Sequence, residues 1–89
     1  MITQQIEITN KKGLHARAAA KLVTLTVKFE AQILVAKGDN EVNGKSILGL
    51  LMLAAHQGSW ITVKAHGKDE TEAIDRIKNL IESKFEESE

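Results

Sequence analysis

Residues 4–27 read QQIEITNKKGLHARAAAKLVTLTV, and within them the hydrophobic period changes from two to three and four. From Gln4 to Thr9, Ile6 and Ile8 fall on one face and Gln5, Glu7 and Thr9 on the other, the alternation of a half-buried strand. The strand ends at Asn10-Lys11-Lys12-Gly13. From Ala16 onward, Ala19, Leu22, Val23 and Val27 share one helical face, which predicts a helix to about Lys28. Thr24, Thr26 and Val27 are β-branched and stiff at χ1, so packing has to help hold the second half of that helix.

The same reading extends along the rest of the chain. Ala31 to Ala36 and Glu41 to Val42 are extended pieces on either side of Gly38-Asp39-Asn40, a turn-forming trio, and together they predict a hairpin. Ser46 can cap a second helix from Ile47 to about Ala55, with Gly58 just past its end. Trp60 to His66 alternates again, with Ile61, Val63 and Ala65 facing away from Thr62, Lys64 and His66, and Gly67 breaks the strand. Asp69 with Glu72 resembles a capping box, and Ala73, Ile74, Ile77, Leu80, Ile81 and Phe85 follow at helical spacing. The order βαββαβα, with strands apolar on one side, predicts an α+β open-faced β-sandwich. Its four-stranded, mostly antiparallel sheet is expected to be covered on one face by three helices, in a single domain spanning residues 1–89. Only Glu86-Glu87-Ser88-Glu89 stands apart, as an acidic tail.

Composition narrows the function classes. A chain of 89 residues, 43% hydrophobic and 27% charged, suits one folded globule without a deep enzymatic cleft. Twelve basic and twelve acidic residues cancel, so no global field draws the chain to nucleic acid or to an anionic membrane. One tryptophan and two phenylalanines leave few rings on which RNA bases could stack. Without cysteine there is no disulfide or thiolate metal site, and the first residues lack the apolar core of a signal peptide. Partners are therefore expected to be proteins recognised locally, in the cytoplasm, with no cofactor or metal.

His15 is the candidate reacting group. It follows Gly13-Leu14 and immediately precedes the first helix, with Arg17 two positions on. A helix start offers unpaired N–H groups and a partial positive charge, which together receive a phosphate. The same positive end disfavours imidazolium and keeps the ring nucleophilic. Arg17 adds a planar fork suited to phosphate oxygens. A bare H-x-R pattern is weak on its own, and by itself reads more readily as a capping or surface histidine beside a solvated arginine.

Other local signals have plainer readings. Gly44-Lys45-Ser46 suggests a nucleotide loop, but the glycine required five positions earlier is Asp39, and Gly38 is one residue out of register. His56 and His66 lie in different elements without partners at ligand spacing, and read as solvated surface residues. Trp60, at the start of a strand, reads as partly buried packing. The second helix, with Ile47, Leu48, Leu50, Leu51, Met52, Leu53 and Ala54, has hardly any polar face. Either loops cover it, or Ile47, Leu48 and Leu51 form a patch where partners dock while the sheet covers the other side.

The segment GLHARAAAKLV, residues 13–23, closely resembles the active-site segment of the HPr family, the histidine phosphocarriers of the phosphoenolpyruvate-dependent phosphotransferase system. NGKSILGLLMLAA, residues 43–55, resembles that family's second-helix segment. The two motifs in this order, with the βαββαβα pattern, carry the resemblance over essentially the whole chain. It implies that His15 takes a phosphoryl group on the ring nitrogen nearer the backbone, that Arg17 contacts it, and that Ser46 is the serine a kinase/phosphorylase modifies in some members. It further implies an enzyme I-type donor, an EIIA-type acceptor, docking through Ile47, Leu48 and Leu51, and a monomer. Such a protein is a macromolecular substrate forming a covalent intermediate, not a turnover enzyme. Both the sugar branch and the nitrogen-related NPr branch fit, as does a mainly regulatory role reporting metabolic state. Ala18 departs from the proline common after the arginine; in a first helical turn either residue is tolerated, and no reacting group is lost.

Overall fold

A computed structural model describes residues 1–87, so Ser88 and Glu89 of the acidic tail lie outside the described residues. The chain forms β1 (Ile2–Glu7), α1 (Ala16–Thr26), β2 (Gln32–Lys37), β3 (Asn40–Asn43), α2 (Ile47–Met52), β4 (Trp60–His66) and α3 (Glu70–Glu82), then a 3-10 turn at Lys84–Glu86. The strands make one sheet in the order β1-β4-β2-β3, and every pairing is antiparallel. The expected open-faced sandwich is therefore present, with helices over one sheet face.

Register follows from alternation. Ile6 pairs with Ile61 and Val35 with Val63, and all four are buried, while Gln5, Thr62 and Lys64 belong to the uncovered face. Lys64 pairs there with Glu41 at 3.0 Å across the strands. Against the inner face lie Ala18, Ala19 and Leu22 of α1 with Ala73, Ile74, Ile77 and Ile81 of α3, in one continuous core. The small alanines let the helix approach closely; α3 packs on β1 and β4, and α1 packs against α3 and α2.

Several sequence expectations are corrected. The buried face of α1 is carried by Ala18, Ala19, Leu22, Leu25 and Thr26, whereas Val27, the C-cap, is exposed: it still continues the helix, donating to Val23 O at 3.0 Å, but falls outside the face those residues define. Thr26 is held inside by its hydroxyl, which donates to the Gly44 carbonyl at 2.8 Å. The capping box at α3 does not form. Asp69 instead accepts from the Glu30 and Ala31 N–H groups, each at 2.9 Å, while Glu70 turns back to accept from Gly67 N–H at 3.0 Å. Those backbone donors hold both carboxyls below their ordinary range, Asp69 chiefly through Glu30 and Glu70 chiefly through Gly67.

α3 ends at Glu82 instead of continuing through Phe85. Lys84, Phe85 and Glu86 are all left-handed, at φ 58, 56 and 61. That conformation is unfavourable for side chains with a Cβ, and it turns the fully buried Phe85 ring into the core. The Lys21 ammonium ties the turn down by donating to the Phe85 carbonyl at 2.7 Å. Trp60 is also corrected: it is 60% exposed, because its place in β4 is out of phase with the inward Ile61, Val63 and Ala65.

Candidate functional site

The segment before α1 is shaped by a glycine that nothing else can replace without strain. Gly13 has φ +67, and a Cβ there would stand 2.5 Å from the Ala55 carbonyl oxygen. That close approach lets Leu14 N–H donate to the same oxygen at 2.9 Å, while Gly13 N–H closes the turn onto the Asn10 carbonyl at 3.1 Å. Leu14 is buried, so the residue after it is held from both sides.

His15 is that residue, and it is the N-cap of α1 in extended conformation, with its carbonyl accepting from Ala19 N–H at 2.8 Å. Its side chain makes no capping hydrogen bond and is 26% exposed. The ring is therefore not used to finish the helix. Arg17 stands exposed on the first turn, and a depression beside the ring is lined by His15, Arg17, Lys11, Lys12 and Lys21 together with Glu86 and Glu87. A mostly basic rim at a helix start suits a phosphoryl group.

Two participants were not legible beforehand. Glu87 Oε2 contacts His15 Nε2, and Glu87 Oε1 accepts from Asn10 Nδ2 at 3.0 Å. Asn10 is fully buried, and its Nδ2 also donates to the Gly13 carbonyl at 2.7 Å. The sequence places Asn10 in a strand-ending turn and Glu87 in an acidic tail; the isolated tail is the one signal it offers.

Ser46 caps α2: its hydroxyl accepts from Gly49 N–H at 3.0 Å. The helix closes at Met52 and not near Ala55, since Ala54 turns left-handed at φ 50 and Ala55 is needed at the Leu14 junction. It packs against α1 and, at the edge of the sheet, against β3, and only Leu50 within it is buried. Ile47, Leu48 and Leu51 are exposed, joined by Met52, which at 72% is the most open of the four. Gly44-Lys45-Ser46 is a closed turn: Gly44 N–H donates to Ile33 O at 2.7 Å and Lys45 Nζ to Phe29 O at 2.7 Å. His56 and His66 are exposed on separate parts of the surface. Among the described residues, no helix is long and apolar enough to cross a membrane.

Comparison with known proteins gives the fold and the site a family. Residues 2–83 match the family model described as "PTS HPr component phosphorylation site". The phosphocarrier protein HPr of Neisseria meningitidis serogroup A is 47% identical over 89 residues, covering 100% of both chains. The phosphocarrier protein NPr of Shewanella violacea is 42% identical over 87 residues, covering 98% of this chain and 96% of that one. Among solved structures, HPr-C-His of Thermoanaerobacter tengcongensis superposes with a TM-score of 0.96 at 48% identity, covering 100% of both chains. An HPr dimer from the same organism superposes at 0.79 with 49% identity, covering 98% of this chain and 100% of that one. The chain belongs to the HPr family of phosphotransferase-system phosphocarriers.

Proposed function

We propose that His15 is the phosphoryl acceptor of this phosphocarrier, taking the group from an enzyme I-type protein and passing it to an EIIA-type protein. The observation that carries this reading is the His15 side chain, which makes no cap hydrogen bond at the helix start and stands beside Arg17 and a mostly basic depression. In the forward step the Nδ1 lone pair of His15 bonds to phosphorus as the donor's P–N bond breaks, and the departing electron pair stays on the donor's ring nitrogen. Arg17 and the N–H groups of the first turn receive the phosphate oxygens, whose charge matches the helix end. Transfer to the acceptor repeats the exchange in the opposite sense.

Ile47, Leu48, Leu51 and Met52 supply the apolar surface on which both partners would seat, one after the other. Ser46, at the edge of that patch, is the proposed regulatory phosphorylation site. Roughly two negative charges added there would have to be desolvated whenever a partner covers Ile47 and Leu48. The monomer fits the same picture, since a second copy on α2 would cover the docking residues; sedimentation at assay concentration checks it. A cytoplasmic location accompanies the family role. Incubation with enzyme I and phosphoenolpyruvate should add the mass of one acid-labile phosphoryl group, mapping to the peptide that contains His15. A phosphoryl group on His56 or His66 instead would overturn the assignment.

A further inference from the structure

The contact between the end of the chain and the His15 ring has a chemical direction. An ionised carboxylate only accepts hydrogen bonds, so Glu87 at Nε2 requires the ring hydrogen to reside on Nε2. The neutral ring then carries its lone pair on Nδ1. Glu87 is itself held in place, because its other oxygen receives Asn10 Nδ2 at 3.0 Å. The Asn10 amide orientation is settled by its surroundings: Nδ2 faces two acceptors, the Gly13 carbonyl and Glu87, and the reversed amide would set oxygen against oxygen. Its burial makes this a fixed anchor and not a surface encounter.

Resting on the assignment of His15 as the acceptor, the geometry points to Glu87 as a positioning residue, seated by Asn10, which holds the proton on Nε2 and presents Nδ1 to phosphorus. The arrangement orders carboxylate, imidazole and electrophile in the sequence by which a carboxylate orients a catalytic histidine elsewhere. Bond formation at Nδ1 withdraws electron density from the ring, and the Nε2–H bond to Glu87 strengthens as it does so. The proton stays on Nε2 throughout, and neither oxidant nor co-reactant is needed. The turn at Lys84–Glu86, fastened by buried Phe85 and by Lys21, is what carries Glu87 back to a ring 72 residues away in sequence.

The test pairs Glu87→Ala with Glu82→Ala, which removes an equal charge from the exposed surface of α3. Ring 15N shifts of His15 in the unphosphorylated full chain report which nitrogen bears the hydrogen. Phosphoryl acceptance from enzyme I reports the rate. In Glu87→Ala the two ring nitrogens should move toward the average of the two tautomers, and acceptance should fall about tenfold, the low end of what losing such a carboxylate–histidine partner costs. Glu82→Ala should change neither. Unchanged ring shifts in Glu87→Ala would overturn the proposal, as would shifted rings with an unaltered rate, or an equal rate loss in Glu82→Ala. Failure of the wild-type chain to accept phosphate would bring down the His15 reading instead, and the ring shifts would still decide whether Glu87 holds the proton.

Discussion

The two helices that matter for function begin in opposite ways. α2 is closed by its own N-cap, Ser46, whose hydroxyl accepts from Gly49 N–H three residues on. α1 begins at His15, which gives its first turn no side-chain cap. At α2 the local hydrogen bond is satisfied inside the protein and the exposed surface is apolar: Ile47, Leu48, Leu51 and Met52. At α1 the depression beside the N-cap is lined mainly by basic side chains, and the first-turn N–H groups receive no side-chain cap. The difference lies in whether the N-cap side chain is spent on the backbone, and the proposed function assigns chemistry to the one end and contact to the other.

That contrast can be broken first at His15. His15→Ala should abolish phosphoryl acceptance while the fold persists, because Gly13, Leu14 and Ala55 position the segment without the ring; intact mass and far-UV circular dichroism check the two halves. An acid-labile phosphate retained by the variant would end the argument. Arg17→Ala should slow acceptance about tenfold without stopping it, since one charge-assisted hydrogen bond is worth about 1.5–3 kcal/mol and the helix end remains. Equal rates for variant and wild type would make Arg17 a solvated charge.

At the other end, Ser46→Asp keeps a capping oxygen but places a charge beside the exposed apolar patch. Transfer from enzyme I should slow by roughly threefold to tenfold, through association, with the melting temperature retained. Ser46→Ala sharpens the contrast: it should lower stability by about 1 kcal/mol through loss of the cap while transfer is unaltered. If Ser46→Ala and Ser46→Asp transfer equally well, Ser46 is a cap and nothing more.

The smallest effect is expected at the start of α3, where the cap is different again. Asp69, whose ordinary value is 3.8, is held lower chiefly by the Glu30 N–H, with Ala31 assisting and burial opposing. A carboxyl lowered on folding stabilises fully above its ordinary value, and that contribution is lost as pH falls through the lower folded value. Asp69→Asn should therefore melt below wild type near neutral pH, and the gap should close in strong acid as Asp69 is protonated. A gap that is constant with pH would place the effect in packing.

The order of elements, the inward faces of the strands, Ser46 as a cap and the His15–Arg17 pair were all legible locally. Alternation and three-four spacing report which side of an element meets the core, whatever that core turns out to be. Trp60 escaped because an aromatic residue suggests burial by its type, whereas its phase in β4 assigns it to the open face. Helix ends were overextended at Val27, at Ala55 and at Phe85. At Ala55 and Phe85 apolar residues continue the helical spacing while a distant contact holds the backbone elsewhere, Leu14 N–H on the Ala55 carbonyl and the Lys21 ammonium on the Phe85 carbonyl.

By itself, the sequence determined what depends on near neighbours: strand and helix phase, the strand-ending turn up to Gly13, the histidine at a helix start and the family motifs around it. Only the tertiary structure decided what depends on residues far apart in the chain. Asp69 abandons its own helix to hold Glu30 and Ala31, and α2 rests on α1 and β3 with four apolar side chains outside. Glu87 returns through three left-handed residues to meet Asn10 and His15. Periodicity carries no record of such pairings, because a hydrogen bond between residues 10 and 87 imposes no pattern on either stretch; it exists only once the core has brought the two ends of the chain together.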